Sequence, residues 1–347
     1  MLSKGSRFWL GTLVLAAVVG GVALLLSERR SVESLALPAF DLQAHRGGRG
    51  LMPENTLPAF AHALSLGVTT LELDVGMTSD GVVVVHHDRR LSPEHTRGPD
   101  GTWIAAPGLL LRGLTLAQLQ EAEVGRVHPE SRSAQRFPGQ QGLDGVRVPT
   151  LGAVIAAAEA QTGGRVFYNV ETKLSPLAPE ETETPEAMAA AVVHVLAEQG
   201  VLARASLQSF DWRSLQAAQQ QAPALATTYL TAEREWLDNV ARGQDGTSPW
   251  AAGFDVDDHA GSLPRTIKAA GGATWSPYHK DLGEAELREA QALGLRVIVW
   301  TVNEASDMSR LIDLGVDGII TDYPDRLRAV LQDKGRDLPP AYPRKPG

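Results

Sequence analysis

The sequence predicts an α/β protein built on a closed barrel of eight parallel strands. Apolar strand-like segments alternate with helix-like segments along residues 39–332, which is typical of a parallel sheet with crossover helices. Eight strand candidates fit one closed barrel, and barrels of this size routinely form a single domain. The chain has 347 residues, of which 43% are hydrophobic, so it can bury one large core.

The strand candidates are short apolar runs bounded by polar or turn-forming residues. They are Phe40–Ala44, Thr70–Val75, Val82–His86, Val166–Glu171, Ala205–Ser209, Ala224–Tyr229, Arg296–Trp300 and Gly318–Thr321. Two further candidates, Gly253–Val256 and Ala273–Trp275, are either additional strands or irregular parts of one long connection.

Capping residues predict where the helices between these strands begin. Asn55 or Thr56 can cap a helix that has Pro58 in its first turn. Thr115 and Gln118 form a capping box for a helix over residues 116–123. Other starts and stops are predicted at Thr150, Pro185, Gly200, Gly294, Ser306, Gly315 and Pro324.

Two segments stand apart from the predicted barrel. Residues 89–147 form a Gly-, Pro- and Arg-rich insert after the third predicted strand, and long inserts in compact domains are usually functional or mobile. Residues 333–347 form a Pro-rich tail, which we expect to be disordered from Leu338 onward.

The N-terminal segment predicts one transmembrane helix. Phe8–Leu26 contains no charged residue, and a helix of this length spans roughly 28 Å, close to the thickness of a bilayer's apolar core. Residues 1–27 are therefore predicted to be a membrane anchor and residues 28–38 a tether, with the predicted barrel on the extracytoplasmic side. The alternative is a signal peptide, cleaved to release a secreted protein, although no Ala-x-Ala site lies nearby.

Composition excludes several classes of site. The chain has no cysteine, which rules out disulfides, a thiolate nucleophile and a cysteine-based zinc site. Its formal net charge of -9 argues against nonspecific binding to nucleic acid, so we expect no nucleic-acid partner. The oligomeric state is not predicted.

Three carboxylates predict a cation site. Glu72 and Asp74 are two residues apart on one predicted strand, so both side chains point to the same side. Glu171 ends another apolar strand, and Ca²⁺ and Mg²⁺ prefer such oxygen ligands. The alternative is a pair of surface carboxylates on an edge strand. Lys173 shares the face of Glu171 and could bind phosphate or form only a salt bridge with Glu171.

Two histidines at strand ends predict acid–base chemistry. His45 closes the first strand and His87 follows the third, while Arg46 offers a planar guanidinium suited to phosphate oxygens. Cleavage of a phosphodiester needs a base for the attacking hydroxyl and an acid for the leaving oxygen. His86 is the rival to His87 and points the other way. The adjacent Asp88 favours His87.

These motifs together resemble the glycerophosphodiester phosphodiesterase family. His45-Arg46-Gly47, five residues and then Pro53-Glu54-Asn55-Thr56 match its opening signature. The similarity continues through residues 72–75, Thr78, 80–81, 87–88, 148–151, 169–173, 209–211, 300–303 and 318–322. Each motif is weak alone, but their order and spacing over residues 40–330 are specific. Gly152 departs from the pattern, because an acidic residue often stands there.

The resemblance implies a TIM (β/α)8 barrel that hydrolyses glycerophosphodiesters to glycerol 3-phosphate and an alcohol. It implies His45 and His87 as the acid–base pair, and Glu72, Asp74 and Glu171 as ligands of a divalent metal, Ca²⁺ or Mg²⁺. It also implies phosphate contacts from Arg46 and Lys173, a pocket lined by Trp300, and support from Glu54 and Asn55. The alternatives are phospholipase D-like cleavage of lysophospholipids and a non-catalytic, membrane-tethered barrel.

Overall fold

The computed structural model describes residues 37–343, and most strands lie where the apolar runs predict them. The strands are β1 (Asp41–Ala44), β2 (Thr70–Met77), β3 (Val83–Val85), β4 (Phe167–Thr172), β5 (Ala205–Ser209), β6 (Ala226–Thr231), β7 (Glu233–Arg234), β8 (Leu237–Asp238), β9 (Thr274–Pro277), β10 (Arg296–Val299) and β11 (Gly318–Thr321).

Eight of these strands form a closed parallel barrel. Their order is β1, β2, β4, β5, β6, β9, β10 and β11, and β11 pairs with β1 to close the ring. The barrel confirms the predicted fold class. All eight carboxyl ends lie at one end of the barrel, so residues that follow the strands are brought together there.

The assignment of Val82–His86 to the barrel was wrong. β3 pairs antiparallel with β2, because residues 78–82 are too few for the dozen or more that a parallel crossover needs. Its place in the barrel is taken by β9, which contains most of the Ala273–Trp275 candidate, whereas Gly253–Val256 is not a strand. The insert therefore lies between the second and third barrel strands, β2 and β4.

β3 carries valine on both of its faces, because each face packs against a different hydrophobic core. Val83 and Val85 belong to the main hydrophobic core of the barrel. Val84 points the other way, into a second core that the insert forms with Leu91, Leu119 and other apolar side chains. The insert is thus packed onto β3 by its own apolar cluster.

Ten α-helices of the described chain surround the barrel or lie in its loops. They are α1 (Leu57–Leu66), α2 (Leu116–Leu119), α3 (Arg132–Arg136), α4 (Leu151–Thr162), α5 (Pro185–Glu198), α6 (Trp212–Gln221), α7 (Leu263–Ala269), α8 (Glu284–Ala292), α9 (Ala305–Leu314) and α10 (Pro324–Asp333). The sequence did not predict α3, α6 and α7.

Three predicted N-caps are confirmed and one is corrected. Thr56 caps α1, Thr150 caps α4, and Thr115 forms the predicted capping box with Gln118. α2 nevertheless ends at Leu119, since the chain turns so that Glu123 can exchange backbone hydrogen bonds with Arg97. Helix α9 begins at Ala305, and its N-cap is Glu304, two residues before the predicted cap at Ser306.

The tail packs against the barrel domain as far as it is described, which corrects the expected disorder from Leu338. The Tyr342 amide donates a 2.8 Å hydrogen bond to the Leu64 carbonyl, and Gln161 donates to the Tyr342 carbonyl at 2.6 Å. The predicted anchor, Phe8–Leu26, lies outside the described residues. Within residues 37–343, no helix is both long and apolar enough to span a bilayer.

Candidate active site

A cavity of about 800 Å³ opens at the carboxyl ends of the barrel strands. Seven of the ten predicted site residues line it, namely His45, Arg46, Glu72, His87, Glu171, Lys173 and Trp300. The other three, Glu54, Asn55 and Asp74, lie behind its wall and contact residues of the lining or one another. The structure therefore brings the whole predicted set to one place.

The strand register explains why the three carboxylates meet. Asp74 on β2 is the direct neighbour of Glu171 on β4, and Glu72 lies two residues earlier on the same face. Each residue offers a carboxylate oxygen, and these oxygens lie within 4.8 Å of one another. Burial and the charges of the other two carboxylates raise the pKa of Glu72 well above its ordinary value. Burial, opposed by Lys173, raises the pKa of Glu171 to about 7.

The three carboxylates fit a divalent cation. Asp74 Oδ1 is fully buried and has no hydrogen-bond partner, which leaves a buried anionic oxygen that a cation would satisfy. Burial opposes ionisation of Asp74, but the Arg46 guanidinium and the other nearby basic side chains, Lys173 among them, together outweigh it and hold the pKa of this carboxyl well below its usual range. Three oxygen ligands of this kind suit Ca²⁺ or Mg²⁺.

A left-handed turn after β1 holds Arg46 against the carboxylates. Arg46 has φ 52°, and this conformation aims its backbone N–H at Glu72 Oε2, 2.9 Å away. Its guanidinium pairs with Glu54 at 2.8 Å and lies 3.1 Å from Asp74 Oδ2. The next residue must be glycine, because a Cβ on Gly47 would lie 2.9 Å from the Cβ of Ala59.

Glu54 and Asn55 lie where their supporting role was predicted. Glu54 binds the Arg46 guanidinium, and Asn55 donates a 2.9 Å hydrogen bond to Asp74 Oδ2. Lys173 Nζ lies 2.5 Å from Glu171 Oε1 and 3.6 Å from Asp74 Oδ1, so the salt bridge considered as an alternative is present. Phosphate contacts of Arg46 and Lys173 stay predictions.

His45 is oriented by a buried carboxylate. Its Nδ1 lies 2.6 Å from Asp322 Oδ1, and Asp322 is fully buried. Burial raises the pKa of Asp322, but Arg49 and His45 outweigh it and hold this pKa well below its usual range. The ionised Asp322 can only accept, so the neutral imidazole carries its proton on Nδ1. Its Nε2 then keeps the lone pair that a general base needs.

His87 also pairs its Nδ1 with a carboxylate, that of Asp88 at 2.7 Å. Burial, then the charges of Arg46 and Lys173, lower the pKa of His87 to about 4. His86 points away from the cavity, and its Nδ1 contacts the Asp88 carbonyl at 2.8 Å. The structure therefore places His87 at the cavity, as the sequence predicted, although its catalytic role stays a prediction.

Several residues that complete the site were not predicted to have a role. Asn303 donates to Asp322 Oδ2 at 2.7 Å, and Gln208 donates to Glu72 Oε1 at 2.6 Å. Asp322 and Gln208 lie at the ends of β11 and β5. The rule that selected Glu171, a polar side chain at the carboxyl end of an apolar strand, would have found both.

We expect acid to destabilise the protein partly through His45. Burial and the Arg49 charge lower the pKa of His45 to about 4 in the folded state, against about 6.5 when unfolded. Between these values the unfolded state binds more protons, so stability present above pH 6.5 is lost as the pH falls toward 4. The loss is at most about 1.4 kcal/mol per pH unit for this one group.

Urea unfolding between pH 4.5 and 7.5, with chelator present, measures this dependence. His45→Gln should flatten it, whereas His194→Gln, a change at an exposed histidine, should not. Equal pH dependence in wild type and His45→Gln would contradict the assignment.

The site can be compared with known proteins. The sequence profile of the glycerophosphoryl diester phosphodiesterase family matches residues 45–326. The chain belongs to this family. The match covers most of the barrel and includes every predicted site residue, which confirms the resemblance inferred from the motifs.

Individual glycerophosphodiester phosphodiesterases match over most of their length. That of Bacillus subtilis strain 168 is 28% identical over 288 residues, which are 83% of this chain and 85% of that protein. The probable glycerophosphodiester phosphodiesterase 2 of Mycobacterium tuberculosis is 31% identical and covers 84% of this chain and 90% of its own. A crystal structure of a candidate glycerophosphoryl diester phosphodiesterase from Silicibacter pomeroyi, 36% identical, gives a TM-score of 0.77 and covers 87% and 96% of the two chains.

Membership in the family establishes the class of activity. The protein is a glycerophosphodiester phosphodiesterase, a phosphoric diester hydrolase, built on a TIM barrel.

Proposed function

We propose that the protein hydrolyses glycerophosphodiesters to glycerol 3-phosphate and an alcohol through acid–base catalysis by His45 and His87, with a divalent cation bound at Glu72, Asp74 and Glu171. One observation supports the mechanism most. His45 and His87 line one cavity beside Glu72, Asp74 and Glu171, which we call the acidic cluster. The carboxylate of Asp322 lies at Nδ1 of His45, and that of Asp88 lies at Nδ1 of His87.

The surroundings of the two histidines favour different roles, that of the base for His45 and that of the acid for His87. Asp322 fixes the Nδ1 proton of His45, so Nε2 of His45 accepts the proton of the attacking hydroxyl. Arg46 and Lys173 are the charges that lower the pKa of His87. An anionic phosphate bound beside them offsets these charges, so substrate binding raises the pKa of His87 and makes it the proton donor to the leaving oxygen.

The acidic cluster complements this pair. A divalent cation held by Glu72, Asp74 and Glu171 would neutralise phosphate oxygens and lower the pKa of a bound hydroxyl. Gln208 and the Arg46 amide hold the two oxygens of Glu72, and Asn55 holds Asp74, so these ligands keep their positions before substrate arrives. The attacking hydroxyl is either the glycerol 2-hydroxyl, which forms a cyclic phosphate first, or water.

The substrate class rests on the family and on one further relative. An Oleispira antarctica phosphodiesterase, 23% identical with a TM-score of 0.61, has been solved in complex with the product sn-glycerol-3-phosphate. A glycerophosphodiester that releases glycerol 3-phosphate is therefore the substrate that we propose here.

A product screen with Ca²⁺ or Mg²⁺, each run against a chelator, tests the proposal. Glycerophosphocholine, glycerophosphoethanolamine, glycerophosphoglycerol and lysophosphatidylcholine are the substrates to compare. We expect glycerol 3-phosphate from the three acyl-free diesters, faster cleavage than of lysophosphatidylcholine, and loss of activity with chelator. A preference for lysophosphatidylcholine would support the phospholipase D-like alternative, and no cleavage of any diester would support a non-catalytic barrel.

We also propose that Phe8–Leu26 anchors the enzyme in a membrane, with the barrel on the extracytoplasmic side. The uncharged length of this segment supports the proposal. Mass measurement of protein purified from membranes should give the full chain, and an N-terminus near Leu37 would show signal cleavage instead.

A further inference from the structure

Four aromatic rings form a continuous wall on one side of the cavity, and we call them the aromatic wall: Phe210, Trp236, Tyr278 and Trp300. Phe210 and Trp300 pack edge to face with centroids 5.2 Å apart. Trp236 lies 6.1 Å from Trp300 and 5.5 Å from Tyr278, again edge to face. These contacts are in the range of favourable aromatic pairs, so the rings hold one another in place.

The aromatic wall runs from the acidic cluster to solvent. At its inner end, Lys173 Nζ lies 5.9 Å from the centroid of Phe210, and the same ammonium pairs with Glu171. At its outer end, Trp236 is 60% exposed. A group attached to a phosphate at Lys173 can therefore follow the rings outward without leaving apolar surface.

The hairpin that carries Trp236 is fixed to the barrel. Trp236 lies in the turn between β7 and β8. Arg234 forms a 2.5 Å ion pair with Asp281, and the Glu233 amide donates to the same carboxylate at 3.0 Å. A large exposed tryptophan held this firmly beside a cavity is a preformed binding surface.

The aromatic wall suits an apolar group better than a polar one. The Trp300 indole N–H already donates to the Ser276 carbonyl at 2.9 Å, and Leu230, Leu237 and Ile320 also line the cavity. His45, Arg46 and the insert arginines Arg89 and Arg90 supply hydrogen-bonding and charged groups to the same lining. These groups offer partners for the glycerol hydroxyls, which leaves the rings for the other ester group.

The charges near the aromatic wall disfavour a cationic alcohol. The guanidinium of Arg234 stacks over Tyr278, 5.3 Å from its centroid, and Lys173 lies over Phe210. These two cations already lie over the faces of Phe210 and Tyr278, so a quaternary ammonium could not use those faces.

We propose that the aromatic wall binds an apolar chain on the alcohol portion of the glycerophosphodiester, with Trp236 as the residue that determines this specificity. The proposal rests on the proposed function, because it places the phosphate at Lys173 and the acidic cluster.

A series of synthetic n-alkyl esters of glycerol 3-phosphate, from methyl to octyl, tests the proposal. Complete burial of a methylene would lower KM about fourfold, so a chain lying along a half-open wall should lower KM roughly twofold per methylene. Trp236→Ala should abolish this dependence for the longer esters, and Trp236→Phe should keep most of it. Leu177→Ala is the matched control, since Leu177 is an exposed apolar residue outside the cavity lining.

Direct binding separates failure of this proposal from failure of the proposed function. Calorimetry with His87→Ala gives the Kd of each ester without turnover, and the same chain-length dependence is expected. If glycerophosphoglycerol is cleaved but neither KM nor Kd changes with chain length, the function stands and the aromatic wall proposal is wrong. Tighter binding of the choline ester than of the octyl ester would also overturn it. If Trp236→Ala alters only binding to phosphatidylcholine vesicles, Trp236 is a membrane contact instead.

Discussion

Alanine at position 45 or position 87 should lower kcat by about a hundred- to ten-thousand-fold, the usual cost of losing general acid–base assistance. His45→Ala removes the imidazole whose Nε2 is free to act as a base, and His87→Ala removes the one beside Arg46 and Lys173. Steady-state kinetics on glycerophosphoglycerol with saturating Ca²⁺ or Mg²⁺ measures both effects. Urea unfolding of each variant shows whether the fold is retained.

The neighbouring His86 provides the matched control. It is buried like His45, but its ring contacts the Asp88 carbonyl outside the cavity, so His86→Ala should reduce kcat far less. If His86→Ala were inactive and His87→Ala were active, the catalytic histidine would be His86, and the assignment of His87 would be wrong.

Glu72→Gln should reduce activity and metal binding together. A cation at a hundred times its Kd stabilises the protein by about 2.7 kcal/mol, and the variant should lose most of this gain. Because a bound metal contributes several kcal/mol to such reactions, kcat should fall by at least about a hundredfold. Thermal unfolding with and without Ca²⁺ or Mg²⁺ gives the metal response, independently of the assay.

With chelator present and no metal bound, Glu72→Gln should have a free energy of unfolding close to that of the wild type. Burial and Asp74 already raise the pKa of Glu72 well above its ordinary value, so loss of the charge suits the metal-free site. The amide keeps only one of the two acceptor oxygens that Gln208 and the Arg46 amide use, so we expect a cost of about 1 kcal/mol for one lost hydrogen bond. Glu159→Gln is the control, because Glu159 binds Arg204 and Tyr168 and lies outside the cavity lining. It should lower stability but leave the metal response intact. Full metal-induced stabilisation in Glu72→Gln would remove Glu72 from the proposed ligands.

Local signals in the sequence predicted most of the barrel, because apolar runs indicate buried strands and capping residues indicate where helices begin. They do not report which strand pairs with which. The run of valines in β3 looked like a barrel strand because it meets a core on each side. The short connection of residues 78–82 already argued for an antiparallel hairpin, so loop length would have corrected the error.

Site residues could be predicted from the sequence where they lie at or next to the end of a predicted strand. His45 and Glu171 follow this rule, whereas Asp74 and Glu72 were found because they share one face of β2 beside Glu171; all four meet at the cavity or directly behind it. The partner of His45 could not be found by spacing, because Asp322 is 277 residues away and the two meet only through closure of the barrel. The aromatic wall was likewise hidden, since its rings come from four separate segments and only Trp300 was predicted.

Closure of the barrel by β1 and β11 has a consequence for how the enzyme is made. His45 leaves the ribosome 277 residues before the carboxylate that orients it. At about 5 to 20 residues per second, translation of that stretch takes roughly 14 to 55 s. Throughout this time the nascent chain lacks Asp322, so no carboxylate fixes the proton position of His45. If His45 is the general base, we expect hydrolysis of diesters to begin only once the last strand has been translated and has joined the first.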